Sequence, residues 1–309
     1  MVIKVIIHID KKTKKRILLY KLEFINIKEL IILSKKRLAV LIVLLLSVFS
    51  LLLGAVWQRN ERKMVFHKKE PKIALLKIEG PIVGGSAGGL ISAAGSDNLL
   101  KQLHELTADK EIKAVLLRIN SPGGSSAASE EIYRELLKVK ASGKKIVVSM
   151  GDTCASGGYL IACSADKIVA NPSTLTGSIG VILPLQNVEE LMKKIGVKNQ
   201  AVKSSEHKDM GSGSRPMTLE EKKIFQAMVD DIYQQFVNIV VKGRNLPRAE
   251  VLKMADGRVY TGRQAKELGL VDELGNYYDA LDLTRKTAGL SPDAEVLDYT
   301  KKSPWDYLD

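Results

Sequence analysis

Ser156 stands on a glycine-rich turn, a setting that suits nucleophilic catalysis. It lies within Ala155 to Tyr159 (ASGGY), directly after an apolar run of strand length. A serine at a sharp strand-to-helix turn exposes its hydroxyl, and glycines after it leave backbone N–H groups free to hold the oxyanion of a tetrahedral intermediate. Such a turn, judged alone, is more often structural than catalytic. The pattern therefore makes Ser156 a candidate nucleophile and Gly157 a candidate oxyanion donor.

A second glycine turn lies about thirty residues earlier in the sequence. Asn120 to Gly124 also follows an apolar run, and Pro122 restricts how the chain enters the two glycines. Gly123 or Gly124 could supply a second oxyanion N–H, because glycine tolerates positive φ and close approach to a substrate.

A nucleophilic serine requires a base, and the body of the chain offers three histidines and several lysines. His67 lies in a basic segment and His104 on an amphipathic helix, where histidines are ordinarily structural or solvated. His207 and Lys208 stand together 52 residues beyond the serine, and Lys203 is a nearby competitor. A lysine acts as a base only when neutral, which requires burial to lower its pKa from about 10.4 to near 8. Spacing alone leaves the choice open.

The two cysteines flank the candidate nucleophile. Cys154 and Cys163 are nine residues apart, and one pair cannot form a disulfide framework. We expect small buried side chains, with Cys154 not acting as a nucleophile because no well-placed histidine would maintain a thiolate.

Alternating apolar runs and amphipathic helices surround these residues. Strands are predicted at Ile73–Ile78, Ala114–Ile119 and Ile146–Met150, with helices at Asp97–Leu106 and Ser129–Lys140. This alternation predicts an α/β fold with largely parallel strands.

The clearest helix signal covers Met217 to Gly243. Thr218 and Glu221 have the spacing of a capping box, and Gly243 suits a C-terminal cap. One face of this helix is apolar, and we interpret it as core packing. It comprises Ile224, Phe225, Met228, Val229, Ile232, Phe236, Ile239 and Val240.

The formal net charge of +12 is concentrated near the N-terminus. Residues 1–37 carry eleven Lys/Arg against three acids, and residues 58–72 carry six against two. Everything from Ile73 onward has no net charge, which gives no support for nucleic-acid binding.

Twenty uncharged residues, 38–57, separate the two basic segments. A helix of this length is about 30 Å long, which matches the hydrocarbon core of a bilayer. The run is longer than the apolar core of a signal peptide, so we predict a transmembrane anchor. Lys/Arg counts close to the span and over the whole leader give opposite orientations, and charge alone leaves topology open.

Several short motifs occur in an order and spacing similar to those found in one protein family. They are Asn120 to Gly124, Ala155 to Tyr159, Ala165 to Pro172, Thr176 to Val181, His207 to Asp209, Gly257 to Gly262 and Gly269 to Asp272. No single motif is diagnostic. Together, from about Ile73 to Leu290, the chain resembles the signal peptide peptidase A family, membrane-bound Ser/Lys proteases of the Clp/crotonase fold.

The resemblance implies a role for five residues. Ser156 would be the nucleophile and Lys208 the general base, with oxyanion N–H groups from Gly124 and Gly157. The hydroxyl of Ser178 would hydrogen-bond the lysine amine and orient it.

The resemblance also implies an architecture and a function. We expect a Clp/crotonase-like repeated ββα superhelix with one N-terminal transmembrane helix. The expected organisation is a basic extension (1–37), the membrane helix (38–57), a basic stem (58–72), the peptidase domain (73–290) and a tail (291–309). No cofactor is expected.

The implied function is that of a single-pass membrane serine endopeptidase with its catalytic domain outside the cytoplasm. It would degrade remnant signal peptides and other apolar peptides, assemble as a ring-like homo-oligomer, and bind no nucleic acid. Two alternatives are a crotonase-type acyl-CoA hydratase or isomerase and a non-catalytic membrane scaffold of the same fold.

Overall fold

The computed structural model describes residues 2–9, 16–23, 39–51, 71–86 and 93–300. The chain divides into two compact units, Met1–Lys68 and Lys69–Asp309. The predicted basic stem and the end of the predicted tail lie largely outside the described residues.

The N-terminal unit contains a hairpin and a helix. Strands β1 (Val2–Ile9) and β2 (Arg16–Glu23) pair in antiparallel register, an element that the sequence did not lead us to expect. Helix α1 covers 39–51, and its large apolar side chains are exposed. Residues 38 and 52–57 of the predicted span lie outside the described residues. Within the described ranges, no helix has the length and hydropathy needed to cross a bilayer.

The second unit, here called the body, is a mixed α/β structure. Its strands are β3 (Lys72–Glu79), β4 (Ile82–Val83), β5 (Ala94–Gly95), β6 (Ile112–Ser121), β7 (Lys145–Ala155), β8 (Lys167–Ala170), β9 (Leu175–Gly177), β10 (Val259–Thr261), β11 (Glu273–Leu274) and β12 (Val296–Asp298). Its helices are α2 (Ser96–Ala108), α3 (Ser126–Ala141), α4 (Gly157–Ala162), α5 (Glu189–Lys194), α6 (Leu219–Arg244), α7 (Arg248–Met254), α8 (Gly262–Glu267) and α9 (Tyr277–Ala288).

The main sheet has eight strands. Its principal path is β10-β9-β7-β6-β3-β12, and β8 and β11 branch from β7. Every pair is parallel except β10 with β9. The α/β expectation is therefore correct, whereas the repeated ββα superhelix stays a prediction. Edge strand β12 comes from the segment assigned to the tail.

The central strands are apolar on both faces because helices cover both sides of the sheet. Ala74, Leu76 and Ile78 of β3 face the larger core, which includes residues of α2, α3, α4 and the C-terminal half of α6. Ile73 and Leu75 face a smaller core under α9. The same alternation in β6 and β7 explains why their sequences read as continuous apolar runs.

Helix α6 corrects part of the sequence interpretation. The capping box of Thr218 and Glu221 is confirmed, but the helix ends at Arg244 and is capped by Asn245 in the left-handed conformation. Gly243 instead permits close packing, since a Cβ there would lie 2.2 Å from the carbonyl oxygen of Cys163. Only the C-terminal half of the apolar stripe is buried, and Met228 in the N-terminal half is 51% exposed. The N-terminal half of α6 therefore extends beyond the packed core.

Candidate active site

Strand β7 places Ser156 by changing partners along its length. Its first half pairs with β8, and its last residues, Thr153 to Ala155, pair with β9. The backbone N–H of Ser156 continues this second pairing by donating to the carbonyl of Gly177 at 2.9 Å. The serine therefore stands where β7 ends and α4 begins.

Ser156 has an unusual backbone conformation, with φ of 52° and ψ of −121°. Positive φ is uncommon in residues other than glycine and costs about 1–3 kcal/mol when tertiary structure enforces it. The residue is half-buried, and it immediately precedes the first turn of α4, where N–H groups lack intrahelical acceptors. This is the geometry of an exposed nucleophile beside free backbone donors.

The turn at Gly123 and Gly124 packs directly against the serine turn. A Cβ on Gly123 would lie 2.7 Å from both the Gly157 nitrogen and the Ser156 Cβ, and one on Gly124 would lie 2.1 Å from the Ile82 carbonyl oxygen. Their φ values of 97° and 155° also favour glycine. Both turns therefore require glycine for conformation and for close approach.

The backbone N–H groups of Gly124 and Gly157 are available for a ligand. Neither donates a hydrogen bond within the described part of the chain. The Gly124 nitrogen would be 3.4 Å from a Cβ built on Gly157, so the two donors belong to one small region beside Ser156. Two adjacent free donors can stabilise an oxyanion.

Ser129 supports this region from behind, a role that sequence reasoning missed. Its hydroxyl donates to the Ser125 carbonyl at 2.8 Å and would lie 2.3 Å from a Cβ on Gly157. A small side chain in the first turn of a helix after a Gly-Gly turn is the only signal in the sequence, and it is a weak one.

A pocket opens beside Ser156 and is largely apolar. Its apolar side chains are Leu160, Val181, Ile232, Phe236 and Ile239, and Gly124, Ser126, Ser156, Gly157, Gly180, Glu130 and Gln235 complete the lining. The carboxylate of Glu130 is paired with Arg134 on the same helix. The stripe of α6 that we interpreted as core thus also forms part of a wall for apolar ligands.

Ser178 lies next to the residue that anchors the nucleophile. It follows Gly177, has a φ of 50°, and its N–H donates to the Arg258 carbonyl at 2.9 Å. The structure thus brings Ser156, Gly157, Gly124 and Ser178 to one end of the sheet. The hydrogen bond expected between the Ser178 hydroxyl and Lys208 does not form in the described part of the single chain.

Lys208 lies on a short 3-10 helix, Glu206–Asp209, and its side chain is exposed. No hydrogen bond joins it to Ser156 within the described residues. The burial that a neutral lysine requires is therefore not provided by one chain, because the turn carrying this residue faces solvent.

The competing base Lys203 is already engaged. Its ammonium donates to the Asp209 carboxylate at 2.7 Å and to the Glu206 carbonyl at 2.9 Å. These contacts occupy the Lys203 ammonium, and no hydrogen bond joins it to Ser156 within the described residues. The imidazole of His207 lies 3.6 Å from the Glu220 carboxylate and is directed to that group.

Both cysteines are buried and unpaired, as expected. Burial raises the pKa of the Cys154 thiol far above its usual range and that of Cys163 to about 12. A thiolate is therefore scarce at either position, and neither cysteine is a nucleophile.

Comparisons with known proteins relate this chain to proteases. Residues 138–291 match peptidase family S49. A protein of Synechocystis sp. named as a putative protease is 44% identical over 74% of this chain and 78% of its own length. A protein of Enterococcus faecium named as a putative signal peptide peptidase is 43% identical, over 74% of this chain and 67% of its own length. "Protease 4" of Haemophilus influenzae is 38% identical over 74% of this chain and 37% of its own length.

A strained serine, adjacent free N–H donors and these relatives define a serine protease. The chain belongs to peptidase family S49, among the signal peptide peptidase A proteins.

Proposed function

We propose that this protein is a membrane-anchored endopeptidase with a Ser156/Lys208 dyad that degrades signal peptides remaining in the membrane after secretory processing. One observation carries the proposal. The strained, half-buried Ser156 lies near two free N–H donors and lines an apolar pocket.

The proposed chemistry follows from these groups. The Ser156 hydroxyl attacks the peptide carbonyl while the neutral Lys208 amine takes its proton. The oxyanion accepts hydrogen bonds from the N–H groups of Gly124 and Gly157, each worth about 10²- to 10³-fold in rate. The protonated lysine then gives its proton to the leaving amine, and a water molecule hydrolyses the acyl-enzyme by the same route.

Two observations support Lys208 over Lys203 as the base. The Lys203 ammonium is already paired with the Asp209 carboxylate, whereas the side chain of Lys208 has no hydrogen-bond partner among the described residues. Its exposure means that the functional site must gain cover, and a second copy of this chain in a homo-oligomer would supply it.

The substrate proposal rests on the pocket and on one relative's name. Apolar side chains from α4 and α6 form the pocket beside Ser156, which suits apolar peptides. The similar protein from Enterococcus faecium is named as a signal peptide peptidase.

The anchoring proposal rests on the N-terminal unit. Helix α1 exposes apolar side chains all around, including Val43 at 65% and Leu51 at 74%, within an uncharged run of twenty residues. The hydrocarbon core of a bilayer is a favourable environment for such an apolar surface. We place the body on the extracytoplasmic side, where signal peptides are cleaved from secreted proteins. Deleting residues 38–57 should move the protein from the membrane fraction to the supernatant.

The test of the dyad uses the full chain in detergent with internally quenched apolar peptides. Ser156→Ala and Lys208→Ala should each lower kcat by about 10³-fold or more, because neither partner acts alone. Lys222→Ala, which removes an exposed lysine on α6, is the matched control and should keep wild-type activity. An active Lys208→Ala variant would contradict the dyad. If Lys203→Ala lost activity while Lys208→Ala kept it, the base would be Lys203 instead.

The crotonase alternative makes a different prediction. Glu130 does place a carboxylate in the pocket, but Arg134 on the same helix already pairs with it. Hydration of an enoyl-CoA thioester without peptide cleavage would favour this alternative.

A further inference from the structure

The turn that carries Lys208 is held by a cluster of four charged side chains that the proposed chemistry does not use. We call Arg215, Asp209, Glu221 and Lys203 the arginine clamp. The Arg215 guanidinium donates to both Asp209 carboxylate oxygens, at 2.8 and 3.1 Å, and to the Glu221 carboxylate at 3.0 Å. Lys203 adds a further bond to Asp209 at 2.7 Å. The clamp therefore joins the turn that carries Lys208, the segment that follows it and the start of α6.

The charges of the clamp balance. Two cations face two anions, and hydrogen bonds from Arg215 lower the pKa of Glu221 to about 2 and that of Asp209 well below its usual range. Both carboxylates are thus charged throughout the pH range of a protease assay. Glu221 is only 2% exposed, so its charge depends on Arg215.

The clamp connects the Lys208 turn to a rigid element. Glu221 is the third residue of α6 and closes the capping box with Thr218, accepting from its N–H at 2.8 Å. Further along, α6 is buried in the core and lines the pocket beside Ser156. A continuous set of contacts therefore runs from the pocket wall through Arg215 to Asp209, the residue after Lys208.

Few other contacts fix this turn. The N–H of Lys208 reaches the Ser205 carbonyl only at 3.3 Å, and the turn closes with a bond from Ser212 to Asp209 at 3.0 Å. Gly211, with a φ of 81°, lets the chain pass close to the ring of Phe225 on α6. The lysine amine has no hydrogen bond of its own in the described residues, so its place depends on its neighbours.

We propose that Arg215 and Asp209 are positioning residues that hold Lys208 in the orientation needed to take a proton from Ser156. This inference rests on the proposed dyad. The clamp fixes the backbone on the C-terminal side of the lysine, so only the amine at the end of its side chain has to be placed by substrate or by a second chain.

The test uses the full chain in detergent and measures kcat, KM, the midpoint of thermal unfolding and the mass of the assembled species. Asp209→Ala should lower kcat by about 10- to 100-fold, because small displacements of a catalytic group have effects of this size. KM should change less than about twofold, since the pocket is formed by other residues. Asp209→Asn, which keeps one acceptor for Arg215, should recover part of the lost kcat.

Asp209 is the better target because its replacement leaves the Arg215–Glu221 pair intact. Arg215→Gln would strand the buried Glu221 carboxylate and lower stability, whereas Arg215→Lys keeps the charge without the two-carboxylate geometry and should have intermediate kcat. Arg248→Gln is the matched control. Arg248, the first residue of α7, bridges Gln234 and Asn238 on the exposed face of α6. It should behave as wild type.

Two results would overturn the positioning role. One is wild-type kcat in Asp209→Ala, and the other is a loss of kcat that parallels loss of folding or of the assembled species. Failure of the dyad itself is distinguishable, because Lys208→Ala would then remain active while Ser156→Ala would not.

Discussion

At the scale of single residues, the backbone strain at Ser156 links stability to catalysis. The residue adopts positive φ although it carries a Cβ, and its N–H is fixed by the Gly177 carbonyl. In this conformation Ser156 lines the pocket together with Gly124 and Gly157, whose N–H groups are free. The protein thus maintains an unfavourable local geometry at the proposed nucleophile.

Replacing Ser156 by glycine should therefore give a more stable protein than replacing it by alanine. Both variants lack the hydroxyl of the proposed nucleophile, so the comparison isolates the backbone. Glycine relieves about 1–3 kcal/mol of strain and loses about 0.5–1 kcal/mol through the entropy of the unfolded chain, for a net gain near 1 kcal/mol. Urea denaturation of the body measures this difference.

The control is the same pair of changes at Ser142, where φ is −73°. There alanine should be the more stable replacement, because no strain is present for glycine to relieve. Equal stability of Ser156→Gly and Ser156→Ala would show that the turn is not strained.

Residue types alone indicated part of the site. Ser156 and Gly157 follow from the glycine turn after a strand, and the earlier turn left Gly123 and Gly124 as alternatives. Spacing left Lys208 as one of several candidate bases until the family resemblance selected it, and Ser178 emerged only from that resemblance, because an exposed lysine and a loop serine have no distinctive local pattern. Ser129 was missed because its role depends on a close approach to Gly157 on a different element. Arg215 was missed because residue types do not show that the chain folds to bring Asp209 and Glu221, each six residues away, onto one guanidinium.

At the scale of elements, hydrophobic periodicity predicted where helices and central strands lie in the sequence, but not what packs against them. The stripe of α6 is regular over its whole length, yet only its C-terminal half is buried in the body. Hydrophobic spacing identifies an apolar face but not what covers it, whether core, ligand or another chain. Hairpin β1-β2 was missed because it lies in a segment of mixed basic and apolar clusters without a clear turn signal.

Several residues of the family motifs serve the fold instead of the chemistry. The Tyr159 hydroxyl donates to the Leu270 carbonyl at 2.9 Å, which joins two of the motifs in the core. Asp272 accepts from the Ile168 N–H at 2.8 Å and from Arg244 of α6 at 3.0 Å. These bonds attach the end of α6 to the sheet branch formed by β8 and β11.

Breaking the Arg244–Asp272 pair should destabilise the body strongly. Arg244 is only 7% exposed at its side chain, so Asp272→Asn leaves a poorly solvated cation without its charged partner. We expect a loss of about 3 kcal/mol in the free energy of unfolding. Lys253→Gln, which breaks an exposed pair with Glu250, should cost less than about 1 kcal/mol.

The same pair predicts a dependence on pH. Burial works to raise the pKa of Asp272, but the hydrogen bond and charge of Arg244 outweigh it and lower the pKa in the folded state. The stabilisation is therefore complete above the unfolded value of about 3.9 and is lost as pH falls through the lower folded value. The difference between wild type and Asp272→Asn should be constant near pH 7 and shrink below about pH 4, and a difference independent of pH would contradict this assignment.

At the scale of the whole molecule, the region from Gly180 to Leu219 presents more apolar surface than a monomer needs. Ile182 is 84% exposed, Ile195 65%, Leu219 81%, and Val202 is fully exposed. Surfaces of this kind are typical of contacts between proteins. The exposed Lys208 lies in the same region, so covering the apolar side chains with another copy would also remove water from the proposed base.

We therefore expect the full chain in detergent to form a homo-oligomer whose protein mass is a multiple of the 34.0 kDa chain. Ile195→Asp and Val202→Asp place a charge in the predicted interface and should shift the protein towards monomers, with peptidase activity falling in parallel. Tyr278→Ser removes another exposed large side chain, on α9 at the opposite face of the sheet, and should change neither property. Analytical ultracentrifugation with matched activity assays measures both. A wild-type protein that is monomeric and fully active would refute the need for a second chain, and the base would then have to be buried by substrate alone.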